Sequence, residues 1–310
     1  MDVHYLPIGD QGRQWADRGQ MLVLEPLQVA PMRCVGLSRL GTVQTGAVFT
    51  FWLQLRGSTW IEAKEGRFRL RRGEWIAFER DSRPALQADR HGVGIGLSLS
   101  AEALRAIGRL ADCMFYAGRG RANLAETRAA LRLWRDASKR LAVQEPGSGG
   151  PAAETSALWP LLLHLTGLQS DLAARVERCP GRSRNRKRQV FGRLQRALMY
   201  LEGHCDRMVR ITELAELTSF SSWYFSKTFH ALFDESPQAA AARLRLEHAA
   251  ELLRSTTMMI GEVASSSGFD NPCSFSRAFR ARFGMSASKY RSVGGPTPLL
   301  AIDSAGRAAA

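Results

Sequence analysis

Long apolar runs are missing from this chain of 310 residues. The longest, Leu158 to Leu168, is interrupted by His164 and is too short to span a bilayer. The N-terminal stretch MDVHYLPIGDQGR has no apolar signal core, so a cytoplasmic protein without a membrane partner is expected. Cysteine is sparse and unpaired. Cys34, Cys113, Cys179, Cys205 and Cys273 are odd in number, scattered, and form no C-x-x-C pair. That fits a reducing cytoplasm and argues against a disulfide framework or a zinc site. No pairing or basic flank singles out Cys34, Cys113 or Cys273 as a redox sensor. Histidine is scarce as well. Only His4 and His91 precede residue 150, too few for a metal triad, so neither metal nor cofactor is expected. The segment Gly92-x-Gly94-x-Gly96 has no helix pattern directly behind it and makes a poor phosphate loop. Catalysis has no carrier here.

Positive charge is abundant. Residues 1–180 hold 24 basic and 18 acidic side chains, and residues 181–310 hold 19 and 11. A basic excess concentrated in the shorter part points to a polyanion. Glycine and proline mark one break at Glu145–Pro151, between helical segments. A second break, residues 179–189, carries Arg182, Arg184, Arg186, Lys187 and Arg188 and no apolar residue between Pro180 and Val190. It reads as a solvated basic linker that can also touch phosphate. Residues 294–310 read as a disordered tail.

Residues 1–100 are expected to hold a β domain. Phe49, Phe51, Leu53 and Leu55 alternate with Thr50, Trp52 and Gln54, the period of a strand with two faces. Strands follow at Thr59–Ala63, Arg67–Leu70, Glu74–Phe78 and Val93–Leu99, with Gly57, Gly66 and Gly73 as turns. This is the pattern of a sandwich or small barrel. Arg56, Arg67, Arg69, Arg71 and Arg72 read as a solvated strand face, with an anionic effector as the other reading. Residues 101–178 read as helical, with helices at Ala101–Leu110, Asn123–Val143 and Ala157–Arg178. In the last, Leu158, Leu161, Leu165, Leu168 and Leu172 are spaced 3, 4, 3, 4. That spacing suits either a dimer seam or an ordinary core-facing helix.

The strongest signal is an internal repeat. Ile211-Thr-Glu-Leu-Ala215 recurs as Ile260-Gly-Glu-Val-Ala264, and Phe220 recurs as Phe269. One residue later in offset, Phe225-Ser-Lys-x-Phe229-x-x-x-Phe233-x-x-Ser236 recurs as Phe275-Ser-Arg-x-Phe279-x-x-x-Phe283-x-x-Ser286. Each copy reads as helix, turn, helix. Ser221 caps the second helix of copy one, and Asn271-Pro272 opens that of copy two. The phenylalanines at i, i+4 and i+8 must be buried. The opposite face is then exposed and can enter a major groove. It offers Ser222, Trp223, Ser226, Lys227 and His230 in copy one, and Cys273, Ser274, Arg277 and Arg280 in copy two. Arg277 can fork onto guanine O6 and N7, and Trp223 can pack against thymine methyls. A connecting helix at 239–253, with Leu244, Ala249, Leu252 and Leu253 on its apolar side, would span ~22 Å at 1.5 Å per residue. A rigid helix can hold two readers in major grooves ~34 Å apart.

The run Gly268-Phe-Asp-Asn-Pro-Cys-Ser-Phe-Ser-Arg-Ala-Phe-Arg-Ala-Arg-Phe-Gly-Met-Ser-Ala-Ser-Lys-Tyr-Arg291 resembles the signature of AraC/XylS-type regulators. Arg243–Leu253 resembles their inter-motif helix, and residues 1–100 are similar to their cupin-like sensor domain. The resemblance implies a promoter-binding regulator that works as a homodimer. The base-reading positions it implies are Trp223, Ser226 and Lys227, then Cys273, Ser274, Ser276 and Arg277. The chain departs from the pattern at Asp234 (usually glycine), Ala240 (commonly aromatic) and Ala287 (commonly proline). The expected fold is thus α+β. A cupin-like, jelly-roll β domain (1–100) precedes a helical dimerisation segment (101–178) and the basic linker (179–189). An all-α domain with tandem helix-turn-helix motifs (190–293) follows. The expected function is an activator of transcription, meeting RNA polymerase, under a small-molecule effector; control by a protein partner is the alternative.

Overall fold

Eleven strands form in the first two hundred residues of the computed structural model, which describes residues 13–24, 32–111, 114–143 and 151–294. Strands β1 (Arg13–Ala16), β2 (Met21–Leu24), β3 (Met32–Ser38), β4 (Thr42–Thr45), β5 (Phe49–Arg56), β6 (Ser58–Ala63), β7 (Gly66–Arg71), β8 (Glu74–Phe78), β9 (Ala85–Ala88) and β10 (Val93–Leu99) precede helix α1 (Ala101–Ala111). Strand β11 (Gly118–Arg121) and helices α2 (Leu124–Val143), α3 (Pro151–Leu168), α4 (Ser170–Arg178) and α5 (Arg184–Gly203) follow. The chain divides into one unit through Tyr200 and a second from Leu201.

The strands form two sheets, β1-β3-β10-β5-β8-β11 and β2-β4-β9-β6-β7. The pairs β1–β3 and β2–β4 are parallel, and the other pairs are antiparallel. Val35, Leu37, Trp52, Ile76 and Phe78 of the first sheet pack with Val43, Ile61, Phe68, Leu70 and Leu86 of the second into one cluster. The result is a β sandwich whose interior is filled by large apolar side chains.

Strand β5 shows why the alternation in the sequence was only half informative. Both of its faces are buried. Phe49, Phe51 and Leu53 turn away from the sandwich interior; Phe115 lies against Phe49 and Phe51 at 5.7 and 6.5 Å. Trp52 faces the interior, together with the polar Thr50 and Gln54. Gln54 is fully buried and satisfied: its Nε2 donates to the Arg56 carbonyl at 2.9 Å, and its Oε1 accepts from the Thr59 hydroxyl at 2.8 Å. A buried amide is tolerated on those terms. Gly94 and Gly96 lie inside β10, in keeping with the rejection of a phosphate loop.

Helices α1 and α2 lie against the first sheet, and α3 packs on both. Trp134 of α2 ties helix to sheet, its indole N–H donating to the Gly96 carbonyl at 2.9 Å. Two expectations need correction here. The stretch 157–178 is not one helix. It breaks at Gln169, whose side chain accepts from the Tyr116 N–H at 3.1 Å and donates to the Tyr116 carbonyl at 2.8 Å. Leu172 therefore sits on a different helix from Leu158, Leu161, Leu165 and Leu168, and the heptad register does not run through. Leu158, Leu161, Leu165 and Leu172 are also buried within this one chain, and Leu168 is half-buried. They are core, and a dimer seam on those leucines is withdrawn. The exposed leucine of α3 is Leu163.

The second correction concerns the basic linker. Only 179–183 lacks helix; from Arg184 the chain is helical, with the Ser183 hydroxyl accepting from the Arg186 N–H at 3.2 Å. Arginine, lysine and glutamine are good helix formers, so charge density alone did not make a loop. Lys187 bonds the Glu177 carboxylate at 2.9 Å and the Glu177 carbonyl at 2.8 Å. Residues 190–200, read above as the start of the C-terminal domain, lie with the first unit. There Phe191 meets Tyr116 edge-on at 5.3 Å, and Met199 joins the sandwich core. The break at 145–150 and the tail beyond Gly294 lie outside the described residues, as do His4 and Cys113. Among the described residues no helix is long and apolar enough to cross a membrane.

Replacing Leu165 by alanine removes a buried side chain from the α3 face. It should lower the stability of the first unit by about 2–5 kcal/mol, measured as a shift of the urea midpoint. A variant with an unchanged midpoint but altered sedimentation would restore the seam.

Candidate nucleic-acid interface

The second unit is built from the phenylalanine repeat outward. Its helices are α6 (Ile211–Thr218), α7 (Ser222–Phe233), α8 (Pro237–Ser255), α9 (Ile260–Ser266), α10 (Pro272–Phe283) and α11 (Ala287–Ser292). Phe225, Phe229, Phe275 and Phe279 are completely buried. The two stripes match closely. Ring centroids are 5.5 Å apart for Phe225–Phe229 and 5.4 Å for Phe275–Phe279, then 4.6 Å for Phe229–Phe233 and 4.5 Å for Phe279–Phe283. Two sequences sharing this stripe fold into two copies of one packing unit.

The expected start and stop signals are in place. The Ser221 hydroxyl accepts from the Tyr224 N–H, and the Asn271 side chain accepts from the Cys273 and Ser274 N–H groups. Pro272 holds the first helical position. Both second helices end in left-handed backbone, at Asp234 (φ 59°) and Gly284 (φ 73°). Aspartate thus replaces glycine without loss of the turn. The repeated Ser236 and Ser286 cap α8 and α11, and the correspondence continues beyond the sequence reading to buried Ala240 and Tyr290.

Burial of one face leaves the other open. Ser222, Trp223, Lys227 and His230 of α7 are exposed, and Ser226 is half-buried. On α10, Cys273, Ser274, Ser276, Arg277 and Arg280 are all exposed. The two faces differ in electrostatics. The Lys227 ammonium sits 4.9 Å from the centroid of the Trp223 ring, a cation–π contact on the open surface. Arg277 and Arg280 have no acidic partner among the described residues. Copy two therefore presents two uncommitted guanidinium groups, and copy one presents a lysine folded over an indole.

The connecting helix α8 buries Leu246, Ala249, Ala250 and Leu253, while Leu244 and Leu252 are only half-buried. The sequence reading missed Leu246. An ion-pair chain joins the copies through this helix. Arg243 donates to Glu235 at 2.6 and 3.2 Å and pairs with Glu247 at 3.3 Å, and Glu247 accepts from Arg282 of α10 at 3.0 Å. Burial opposes the charge on Arg243, but the two carboxylates outweigh it and raise its pKa. A second tie is made at the turn of copy two. Gly268 has φ 71°, and a Cβ there would meet the Arg207 backbone at 2.8 Å. Arg245 donates to the Gly268 carbonyl at 2.8 Å and lies over the Phe269 ring.

This stretch of the chain is similar to known proteins. A family model described as a helix-turn-helix domain matches residues 214–292. The HTH-type transcriptional regulator CdhR of Pseudomonas aeruginosa is 31% identical over 159 residues, 47% of this chain and 47% of that protein. The right origin-binding protein of Escherichia coli is 29% identical over 100 residues, 32% of this chain and 35% of that protein. The chain thus spans about half the length of the first relative and about a third of the second. A solved structure of a probable AraC family transcriptional regulator from Rhodopseudomonas palustris is 33% identical, covering 34% of this chain and 98% of that one, with a TM-score of 0.31.

Two stability tests follow from the packing. Gly268→Ala places a methyl against backbone at a positive φ and should cost about 1–3 kcal/mol, read from thermal unfolding of the second unit. His248 of α8 is desolvated, and burial pushes its pKa below the ordinary value in spite of Asp206. A histidine that is harder to protonate when folded stabilises the fold above its unfolded pKa and loses that contribution as pH falls. Unfolding temperature should therefore decline as pH drops below about 6.5, and His248→Gln should flatten that part of the profile. Equal slopes in both proteins would exclude the histidine as the cause.

Proposed function

Residues 214–292 are a helix-turn-helix domain of AraC/XylS type, and from this premise we propose that the chain is a sequence-specific transcription regulator reading two successive major grooves of promoter DNA. The observation that carries the reading is the pair of matched phenylalanine stripes, which force a polar face outward on both α7 and α10. Helix α8, with 19 residues, is about 28 Å long at 1.5 Å per residue. Braced by the Glu235–Arg243–Glu247–Arg282 chain, it suits a fixed spacing of the order of one turn of DNA.

In this reading the two copies are unequal. Arg277 is the principal base contact, bidentate to guanine, with Arg280 directed at phosphate. Cys273, Ser274 and Ser276 are short and discriminate little, though they let the helix approach closely. In copy one, Trp223 meets thymine methyls and Lys227 supplies backbone affinity, with Ser222 and Ser226 beside them. Pairing of two chains on a two-part operator belongs to the same reading, through a surface other than the buried α3 leucines.

The test begins with genome-wide binding, followed by footprinting of the strongest site. Arg277→Ala should cost about 1–3 kcal/mol of specific affinity and relax one base position. Lys227→Ala should weaken all sequences alike and reduce the salt slope by about one. An unchanged footprint and affinity in Arg277→Ala would overturn the groove assignment.

A further inference from the structure

One end of the β sandwich gathers positive charge that the DNA module does not use. A cavity of about 380 Å³ opens there, lined by Arg39, Arg56, Arg90 and His91, with Trp15 and Ser38 on its wall. Three connections build it: the turn between β3 and β4, the turn at Gly57 between β5 and β6, and the turn at 89–92. Backbone bonds staple the first and the third together. The Arg39 N–H donates to the Gly92 carbonyl at 3.0 Å and the Leu40 N–H to the Asp89 carbonyl at 3.2 Å.

The acidic groups nearby are already engaged. The Asp89 carboxylate accepts from the N–H and the hydroxyl of Ser58, each at 2.8 Å, and from the His91 N–H at 2.8 Å. Asp17 pairs with Arg39 and accepts from the Ser38 hydroxyl at 2.7 Å. Arg56 and Arg90 have no acidic partner among the described residues. The backbone at the mouth is also strained. Arg39 and Leu40 have φ of 40° and 67°, in the left-handed region that non-glycine residues avoid. Such residues persist where the surrounding structure over-determines them, and they cluster at ligand sites.

The apolar wall is equally fixed. Gly36 leaves its side-chain space to the Trp15 ring, which a Cβ would enter. The Trp15 indole N–H donates to the Ser38 hydroxyl at 2.9 Å, and its ring meets Trp134 edge-on at 6.0 Å. Between the sheets, by contrast, the space is filled by Trp52, Phe68, Phe78 and their neighbours. The end of the sandwich, unlike its interior, leaves room for a ligand.

We propose that this cavity binds a small organic dianion, a dicarboxylate or a phosphate monoester, neutralised by Arg56 and Arg90 with its carbon body against Trp15. Two uncommitted guanidinium groups match two negative charges, and guanidinium binds carboxylate and phosphate with the same fork. The site lies within the first unit and does not rest on the DNA-binding reading.

Calorimetric titration of the full chain, without DNA and at low ionic strength, tests it with glutarate, glycerol 3-phosphate and acetate. One or both dianions should bind saturably, at least about tenfold more tightly than acetate. Glutarate alone identifies a dicarboxylate site, glycerol 3-phosphate alone a phosphate site, and both together a site that selects charge. Arg56→Gln and Arg90→Gln should each weaken binding about tenfold or more. Arg72→Gln, an exposed arginine elsewhere in the unit, should leave it unchanged. Both test positions are exposed, so thermal unfolding should match the parent protein. No saturable binding by either dianion, acetate binding as tightly, or equal loss in Arg72→Gln would each overturn the proposal.

Discussion

Burial of two phenylalanines on one side of a twelve-residue helix, with a third half-buried beside them, done twice, governs the second unit. The hydrophobic effect decides which way each helix is rolled. Once Phe225, Phe229 and Phe233 face the core, Trp223 and Lys227 have nowhere to go but outward, and the same holds for Arg277 opposite Phe275 and Phe279. The outward face proposed to read DNA is therefore a consequence of the core rather than an independent feature. Polar residues at the open positions can vary without disturbing the fold. That freedom is visible here, since the two copies share the stripe while Trp223 and His230 of one face stand where the other has Cys273 and Arg280.

A second constraint fixes the copies relative to each other. Helix α8 alone would leave rotation at its ends. The chain Glu235–Arg243–Glu247–Arg282 spans from the exit of α7 to the last turn of α10. The Gly268 turn closes the other side against Arg207. Each of these partly buried ion pairs contributes modestly by itself, because desolvation offsets much of the Coulomb attraction. Their value lies in direction. Arginine's planar fork donates to carboxylates only in defined orientations, so the network resists rotations of α7 and α10 relative to each other.

What was legible in the sequence follows from how local each determinant is. Caps, the glycine at 268 and the phenylalanine stripe are local, and their positions agree with the structure. The end of the α3 heptad was not legible, because the break at Gln169 depends on Tyr116, 53 residues away. Leucine spacing shows that a face is apolar; it does not show whether the covering partner is another chain or the same one. Strand β5 posed a related problem. Thr50 and Gln54 look like a solvent face, but the second sheet covers them and Thr59 satisfies the Gln54 amide. Strands β1 and β2 escaped notice because their pairing is parallel and distant in sequence, with no hairpin turn to announce it. The basic stretch at 182–188 misled for the opposite reason. Its composition suggested solvent, yet each of its residues is compatible with a helix.

Net charge, the first hint of a nucleic-acid partner, needs the structure before it can be used. The second unit holds many arginines, but several are committed to the protein. Arg207 pairs with Glu213, Arg243 and Arg282 share Glu247, Arg245 bonds the Gly268 carbonyl, and Arg291 bonds the Leu253 and Met258 carbonyls. A guanidinium fixed on a carbonyl keeps its charge and adds to the long-range field, so it steers DNA without touching it. In the function proposed above, contact falls to the outward-facing cations that have no acidic partner among the described residues, Arg277 and Arg280 above all. The same distinction applied to the first unit separates Arg39, held by Asp17, from Arg56 and Arg90, which have no acidic partner among the described residues. In both units the informative cations are those that the fold has left without a task of its own.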